Sequence, residues 1–230
     1  MSVTNAEPQT KPAELVKTVF EGLARLRSAR VFHPDGATFV GTVAVTNAHS
    51  PTAGALGGTW PVHVRASKGL GTPGALPDVH GLAVRIIHED GPVDLLFATA
   101  GRRVPWILTP SMGWSDHPYT TLLPYTVSDR HVVLRLDPDD PKAARSGDVA
   151  SILEAVAKAP VHFTVRESHG LSWRAIGTLT LESIADEEIA FDPVVHQHPR
   201  VRHSRLLAPL RHFAYAGSRQ GRGAANQDLE

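Results

Sequence analysis

Apolar residues first recur at intervals of three and four and then give way to short alternating runs. The first pattern predicts an amphipathic helix over residues 12–28, with Pro12 in its first turn. Its apolar face comprises Leu15, Val16, Val19, Phe20, Leu23 and Leu26. The runs that follow are rich in Val, Ile and Thr and are separated by Gly, Pro and Asp. They predict strands at 37–45, 61–67, 81–88, 93–98 and 104–108. Several short strands at this spacing favour an antiparallel barrel or sandwich.

The second half of the chain contains both helical and strand-like patterns of apolar residues. Residues 109–130 are predicted to form a long loop, and residues 148–158 a helix with Asp148 as its N-cap. Further strands are predicted at 161–166, 173–181 and 188–191, and a last helix at 204–219. No linker divides the chain, so we expect an α+β fold with one domain over residues 12–222 and flexible tails at 1–11 and 223–230.

Composition excludes several classes of protein. The 230 residues include 23 Lys and Arg against 23 Asp and Glu, so the basic excess of a nucleic-acid-binding protein is missing. The chain has 0 cysteines, which excludes disulfides, thiolate metal sites and thiol nucleophiles. No apolar run is long enough to span a membrane, and the N-terminus lacks the apolar core of a signal peptide. We therefore expect a cytoplasmic protein without nucleic-acid or membrane partners.

Two clusters could carry chemistry. His196-Gln197-His198 could contribute two metal ligands, but the sequence shows no third ligand at a suitable spacing. The last predicted helix places Arg211, Tyr215, Arg219 and Arg222 along one face. A neighbouring guanidinium favours the phenolate form of a tyrosine, and tyrosine is a known axial ligand of haem. The remaining arginines could bind carboxylates, although the helix alone favours a solvated basic face with the tyrosine packed in the core.

Five segments resemble those of the haem catalases, in the same order along the chain. Arg211-His212-Phe213-Ala214-Tyr215 resembles their haem-ligating Arg-x-x-x-Tyr motif, with Arg222 at the place of a further arginine. Residues 189–193 are similar to the segment before that helix. Arg30-Val31-Phe32-His33 is similar to the family's distal-histidine segment, and residues 64–67 to its Arg-Phe-Ser motif. Residues 78–95 resemble the run that follows in the family.

The resemblance implies a catalase-type antiparallel β-barrel with flanking helices that binds haem b. Tyr215 is then the axial ligand of the iron, kept ionised by Arg211. His33 is the distal acid–base group, oriented by Ser67. The propionate partners are Arg30, Arg65 and Arg222, and Phe32 lines the distal pocket.

The chain also departs from the family. It is about half the length of a full catalase, so we expect a barrel-only protein without the wrapping segment and the C-terminal helical domain. Ala98 and Thr99 stand where the family has its distal asparagine, and Thr99 could donate a hydrogen bond there. The loss of the amide favours peroxidase chemistry on hydrogen peroxide or organic hydroperoxides, with an organic co-substrate, over efficient catalase activity. Rearrangement or dehydration of an organic substrate, a haem carrier or sensor, a haem-free binding barrel and a homodimer stay open.

Overall fold

Antiparallel hairpins build the fold. The computed structural model describes residues 36–203 apart from 171, 188 and 194. Eight of its strands are β1 (Gly36–Val45), β2 (Gly58–Lys68), β3 (His80–His88), β4 (Gly91–Thr99), β5 (Tyr119–Thr120), β8 (Leu134–Pro138), β9 (Val161–His169) and β10 (Ser172–Ala185). They close into a barrel in the order β1-β10-β9-β8-β5-β4-β3-β2. The predicted antiparallel β-barrel is confirmed.

Alternation along each strand separates the barrel interior from its outer face. On β2, Val62, Val64 and Ala66 are buried in the core, whereas the residues between them are half-buried. Since successive side chains point to opposite faces, the even-numbered positions of β2 point inward and His63, Arg65 and Ser67 point outward. On β4 the inward positions are Val93, Leu95, Phe97 and Thr99.

Smaller elements cover the barrel. A second sheet contains β6 (Tyr125–Val127), β7 (Arg130–Val132) and β11 (Val201–His203), in the order β11-β6-β7. The helices are α1 (Pro51–Leu56) and α2 (Val149–Lys158). The predicted cap of α2 is present, because the Asp148 side chain accepts a hydrogen bond from the Ala150 amide. Within the described residues, neither helix is long and apolar enough to cross a membrane.

Some sequence-based assignments were wrong. Residues 104–108 form a turn instead of a strand, closed by a bond from the Ile107 amide to the Val104 carbonyl. Pro105 has no amide to donate to a neighbouring strand, which disfavours a ladder there. The segment assigned as a loop, 109–130, contains β5 and β6. Residues 189–191 form no strand, since the Arg85 side chain bonds the Ala190 carbonyl at 2.7 Å.

Other predictions fall beyond the described residues. These are the helices at 12–28 and 204–219 and the tails at 1–11 and 223–230.

Candidate outer-face site

The interior of the barrel is too full to hold a prosthetic group. Its cavity measures about 30 Å³ and is lined by side chains such as Val84, Leu95 and Leu136. That space is comparable to one or two water molecules, far below the several hundred Å³ of a typical cofactor site. A haem-sized ligand must therefore bind outside the barrel.

Small side chains form one row across the outer face. Gly36 pairs with Ser67, Ser67 with Gly81, and Gly81 with Ala98. Directly paired residues lie on the same face of a sheet, so these four residues are neighbours on the outer face. The next row, two residues along the strands, contains Thr38, Arg65, Ala83 and Leu96. The two rows are about 7 Å apart. Together they form a low surface, which we call the outer-face floor.

Ser67 stands on this floor beside a glycine. A Cβ placed on Gly81 would lie 3.4 Å from the Ser67 Oγ, so the glycine keeps this side of the hydroxyl open. Within residues 36–203, no hydrogen-bond partner is found for that hydroxyl. It can therefore serve a group bound above the floor, as donor or as acceptor.

Arg65 provides the positive charge of the floor. Its guanidinium Nη2 lies 2.8 Å from where a Cβ on Gly36 would be, so any side chain at position 36 would displace it. Arg65 is half-buried, and among the described residues no carboxylate pairs with it. A guanidinium in this state can bind an anionic group of a ligand in a bidentate way.

Thr99 lies on the opposite face of β4 from Ala98. Its side chain is fully buried, donates to the Thr109 carbonyl at 2.8 Å and accepts from the His80 amide at 3.2 Å. The structure therefore brings Ser67 and Arg65 together with Ala98, but not with Thr99. The sequence alone left open which of the two residues aligns with the family's asparagine, and the register places Ala98 in the row of Ser67.

The six other predicted site residues lie outside the described part of the chain. They are Arg30, Phe32, His33, Arg211, Tyr215 and Arg222. Their roles stay predictions.

A buried ion pair fixes the segment that follows β10 to the same outer face. Arg85 Nε and Nη2 each donate to Asp94 at 2.7 Å, and the Asp192 amide donates to the same carboxylate at 2.6 Å. His196 Nδ1 lies 3.0 Å from Asp94 Oδ2. Burial alone would raise the pKa of Asp94, but the bonds from Arg85, His196 and the Asp192 amide outweigh it and lower that pKa.

The Arg85–Asp94 pair, with its bonds to Asp192 and His196, is called the anchor. It was not predicted from the sequence. The sequence did contain an indication of the Arg85–Asp94 pair. A tight turn at Glu89-Asp90 pairs His88 with Gly91, and the same register pairs Arg85 with Asp94. His63 lies in the same cross-strand row as this pair. Ala190, Asp192 and His196 thus lie against the row next to that of Arg65.

The described residues form an eight-stranded antiparallel barrel with a candidate site on its outer face. Comparison with solved structures shows the catalase fold. The chain is similar to a fungal catalase (TM-score 0.61, 15% identity), a bacterial catalase (0.60, 17%) and catalase A from Saccharomyces cerevisiae (0.60, 14%). These matches cover 98%, 98% and 96% of this chain.

The chain spans only part of the catalases it matches, at 65%, 64% and 66% of their lengths. No protein-family model and no curated protein sequence matches it.

Proposed function

We propose that this chain binds haem b on the outer-face floor and uses it to reduce hydrogen peroxide or organic hydroperoxides, as a peroxidase more than as an efficient catalase. The observation that carries the proposal is the floor itself, where small side chains surround Ser67 and the half-buried Arg65 has no carboxylate partner among the described residues. The catalase fold supports it.

The residues present fit a flat ligand that bears carboxylates. Glycine at positions 36 and 81 and alanine at position 83 let a planar ring approach the sheet closely, whereas Ala98 is 3% exposed and packs with Val79, Ala100 and Leu122. Arg65 can bind a propionate, with Arg30 and Arg222 as the further proposed partners. Phe32 would supply an apolar wall to the pocket.

Tyr215 is the proposed iron ligand, and the two other tyrosines support this assignment by their burial. The chain has three tyrosines. Burial raises the pKa of both Tyr119 and Tyr125 far above the ordinary value, so these phenols stay protonated. A phenolate ligand needs a stabilising cation, which Arg211, one helical turn before Tyr215 in the predicted helix, would provide.

The peroxide side of the proposal assigns proton transfer to the protein. Bound haem would supply the two electrons that reduce the O–O bond, and a co-substrate would return them. His33 would take the proton from the incoming hydroperoxide and deliver it to the departing oxygen, which leaves as water or an alcohol. Ser67 would hold the imidazole of His33 by a hydrogen bond and so fix which ring nitrogen is free.

Ala98 favours peroxidase over catalase activity. Its methyl group lies in the row of Ser67 and offers no hydrogen bond. Oxidation of a second peroxide molecule requires that molecule to be oriented, and orientation can account for several kcal/mol of a barrier. An added reductant that reacts at the edge of the site does not need this orientation.

Peroxide turnover by the haem-loaded protein tests the proposal. We expect oxidation of an added electron donor, slowed about 10²- to 10⁴-fold in His33→Ala, which removes the acid–base group. His162→Ala is the control, since His162 is exposed on β9. Haem binding without turnover above the His33→Ala level would identify a carrier or sensor. Consumption of an organic hydroperoxide without donor oxidation would identify a rearranging enzyme.

A further inference from the structure

Two buried histidines and an aspartate meet at the end of the barrel where β3 turns into β4. His88 ends β3, Asp90 lies in the turn, and His198 belongs to the segment that leads into β11. The relative exposures of His88 and His198 are 7% and 2%. Their rings meet edge to face at 4.9 Å, and the His88 ring lies 4.3 Å from that of Trp60. His198 thus packs residues 197–200, which lie between His196 and β11, onto the barrel.

Backbone amides determine where the protons of both imidazoles lie. The Asp90 amide donates to His88 Nδ1 at 3.1 Å, and the Arg200 amide donates to His198 Nδ1 at 3.1 Å. Each Nδ1 therefore carries a lone pair, and each neutral ring carries its hydrogen on Nε2. For His198 that hydrogen points to Asp90 Oδ2, 3.2 Å from Nε2.

This proton arrangement disfavours a metal ion, although the three side chains have candidate ligand atoms within 4.8 Å of one another. A metal-bound imidazole keeps a hydrogen on its other nitrogen and donates it to an acceptor. Here ligation through Nε2 would place an Nδ1–H against a backbone N–H. Ligation through Nδ1 would displace the amide.

We propose that His88 and His198 form a proton-operated clasp, which holds residues 197–200 on the barrel at neutral pH and releases them in acid. A second proton on the His88 imidazole can only go to Nδ1, where it expels the Asp90 amide. The hydrogen bond from the backbone amide and the second proton on the ring therefore exclude each other. The clasp lies outside the proposed haem site and needs no haem to operate.

The surrounding charges define the direction of the response. Burial foremost, and then His198, lower the pKa of His88; Arg200 also lowers it, whereas Asp90 and Glu89 oppose the change. Released His88 would titrate near its ordinary value of 6.5. A group with a lowered pKa in the closed form stabilises that form above 6.5, and this stabilisation is lost as the pH falls towards the lowered value.

The neighbouring anchor does not share this response. The lowered pKa of Asp94 keeps it charged well below the range in which a released histidine titrates. In mild acid the chain is therefore still attached at Asp192 and His196 and at β11, while residues 197–200 between them are released.

Hydrogen exchange of the full chain, followed by mass spectrometry, tests the clasp. We expect the protection factors of amides in residues 197–200 to fall about fivefold or more between about pH 7.5 and about pH 5, as the loss of one hydrogen bond implies. His88→Asn combined with His198→Asn keeps an acceptor for each amide but cannot titrate, so the fall should disappear. His162→Asn, an exposed histidine on β9, should leave it unchanged.

Three results would overturn the proposal. One is a pH-independent protection factor in the unsubstituted protein, and another is an unchanged fall in the double variant. The third is stoichiometric Zn²⁺ binding that the double variant abolishes, since this would make the cluster a metal site. If the double variant does not fold, nitrogen NMR of the unsubstituted protein replaces it: an Nδ1–H on either ring at neutral pH contradicts the clasp. None of these readouts depends on haem, so failure of the clasp and failure of the proposed function are separate results.

Discussion

A difference of one residue decides which side chain of β4 faces the proposed site. Ala98 and Thr99 are both buried, yet Ala98 lies on the outer side of β4 in the row of Ser67, whereas Thr99 points to the other face and bonds to Thr109 and His80. The sequence contained both candidates but no signal that separates them, because a shift of one residue exchanges the two faces of a strand. By contrast, Ser67 and Arg65 were predicted as site residues and do share the outer face with Ala98.

An amide restored at position 98 should increase catalase activity. We expect Ala98→Asn to raise oxygen evolution relative to donor oxidation by about tenfold, somewhat less than the effect of removing an established donor of this kind. The measurement compares oxygen release with donor oxidation at equal haem content. Thr99→Asn is the matched control, and we expect it to lower stability without raising the ratio, since it disrupts two buried hydrogen bonds. Equal gains from both variants, or oxygen evolution by the unsubstituted protein at the rate of a full-length catalase, would contradict this prediction.

The hairpin of β3 and β4 determines where the chain lies after β10. The side chains of Arg85 and Asp94 are 15% and 0% exposed, and the Asp94 carboxylate also accepts a hydrogen bond from the Asp192 amide. Removing one partner of a buried pair leaves a charge without compensation, which is costly.

Asp94→Asn should therefore destabilise the fold by about 3 kcal/mol at neutral pH, measured by urea unfolding. Asp137→Asn is the control. Asp137 also pairs with arginines, but its side chain is 20% exposed. We therefore expect its substitution to lower the free energy of unfolding by about 1 kcal/mol or less. Because the Asp94 pKa is lowered in the folded state, its contribution is present above its ordinary pKa and lost as the pH falls through the lowered value. Equal decreases in the free energy of unfolding of both variants would show that burial of the Asp94 pair adds nothing to stability.

Long periodic elements could be predicted from the sequence, and short ones could not. The strands that became β1 to β4, β9 and β10 and the helix α2 each contain enough residues for a period to be visible. Strands β5, β6, β7 and β11 have two or three residues, too few for any alternation. Helix α1 was missed because Pro51 and Gly54 resemble a turn, although Ser50 caps it.

For the whole molecule, closure of the barrel depends on close approaches between strands. The register of β9 with β10 shifts between Ala175 and Gly177, and a Cβ on Gly177 would collide with the Ala44 carbonyl oxygen of β1. At this point a side chain would collide with backbone that cannot move without opening the barrel.

We expect Gly177→Ala to lower the free energy of unfolding by at least about 1–3 kcal/mol, as overpacking of a core does. Gly54→Ala is the matched control, because no atom lies within 4 Å of its added Cβ and the site is in α1. That change should be neutral or stabilise the protein by up to about 1 kcal/mol. Thermal unfolding followed by circular dichroism measures both, and a Gly177→Ala protein as stable as the parent would refute this account of closure.

The proposed ligation of haem iron by Tyr215 is tested most directly by an absorption titration of the purified full chain with haem. We expect saturable binding with a Soret band that is shifted or lost in Tyr215→Phe, which keeps the ring and removes the ligating oxygen. Tyr125→Phe, at a buried tyrosine whose raised pKa keeps it a neutral phenol, should leave the band unchanged. Failure of the parent protein to bind haem, or an unchanged spectrum in Tyr215→Phe, would contradict the claim.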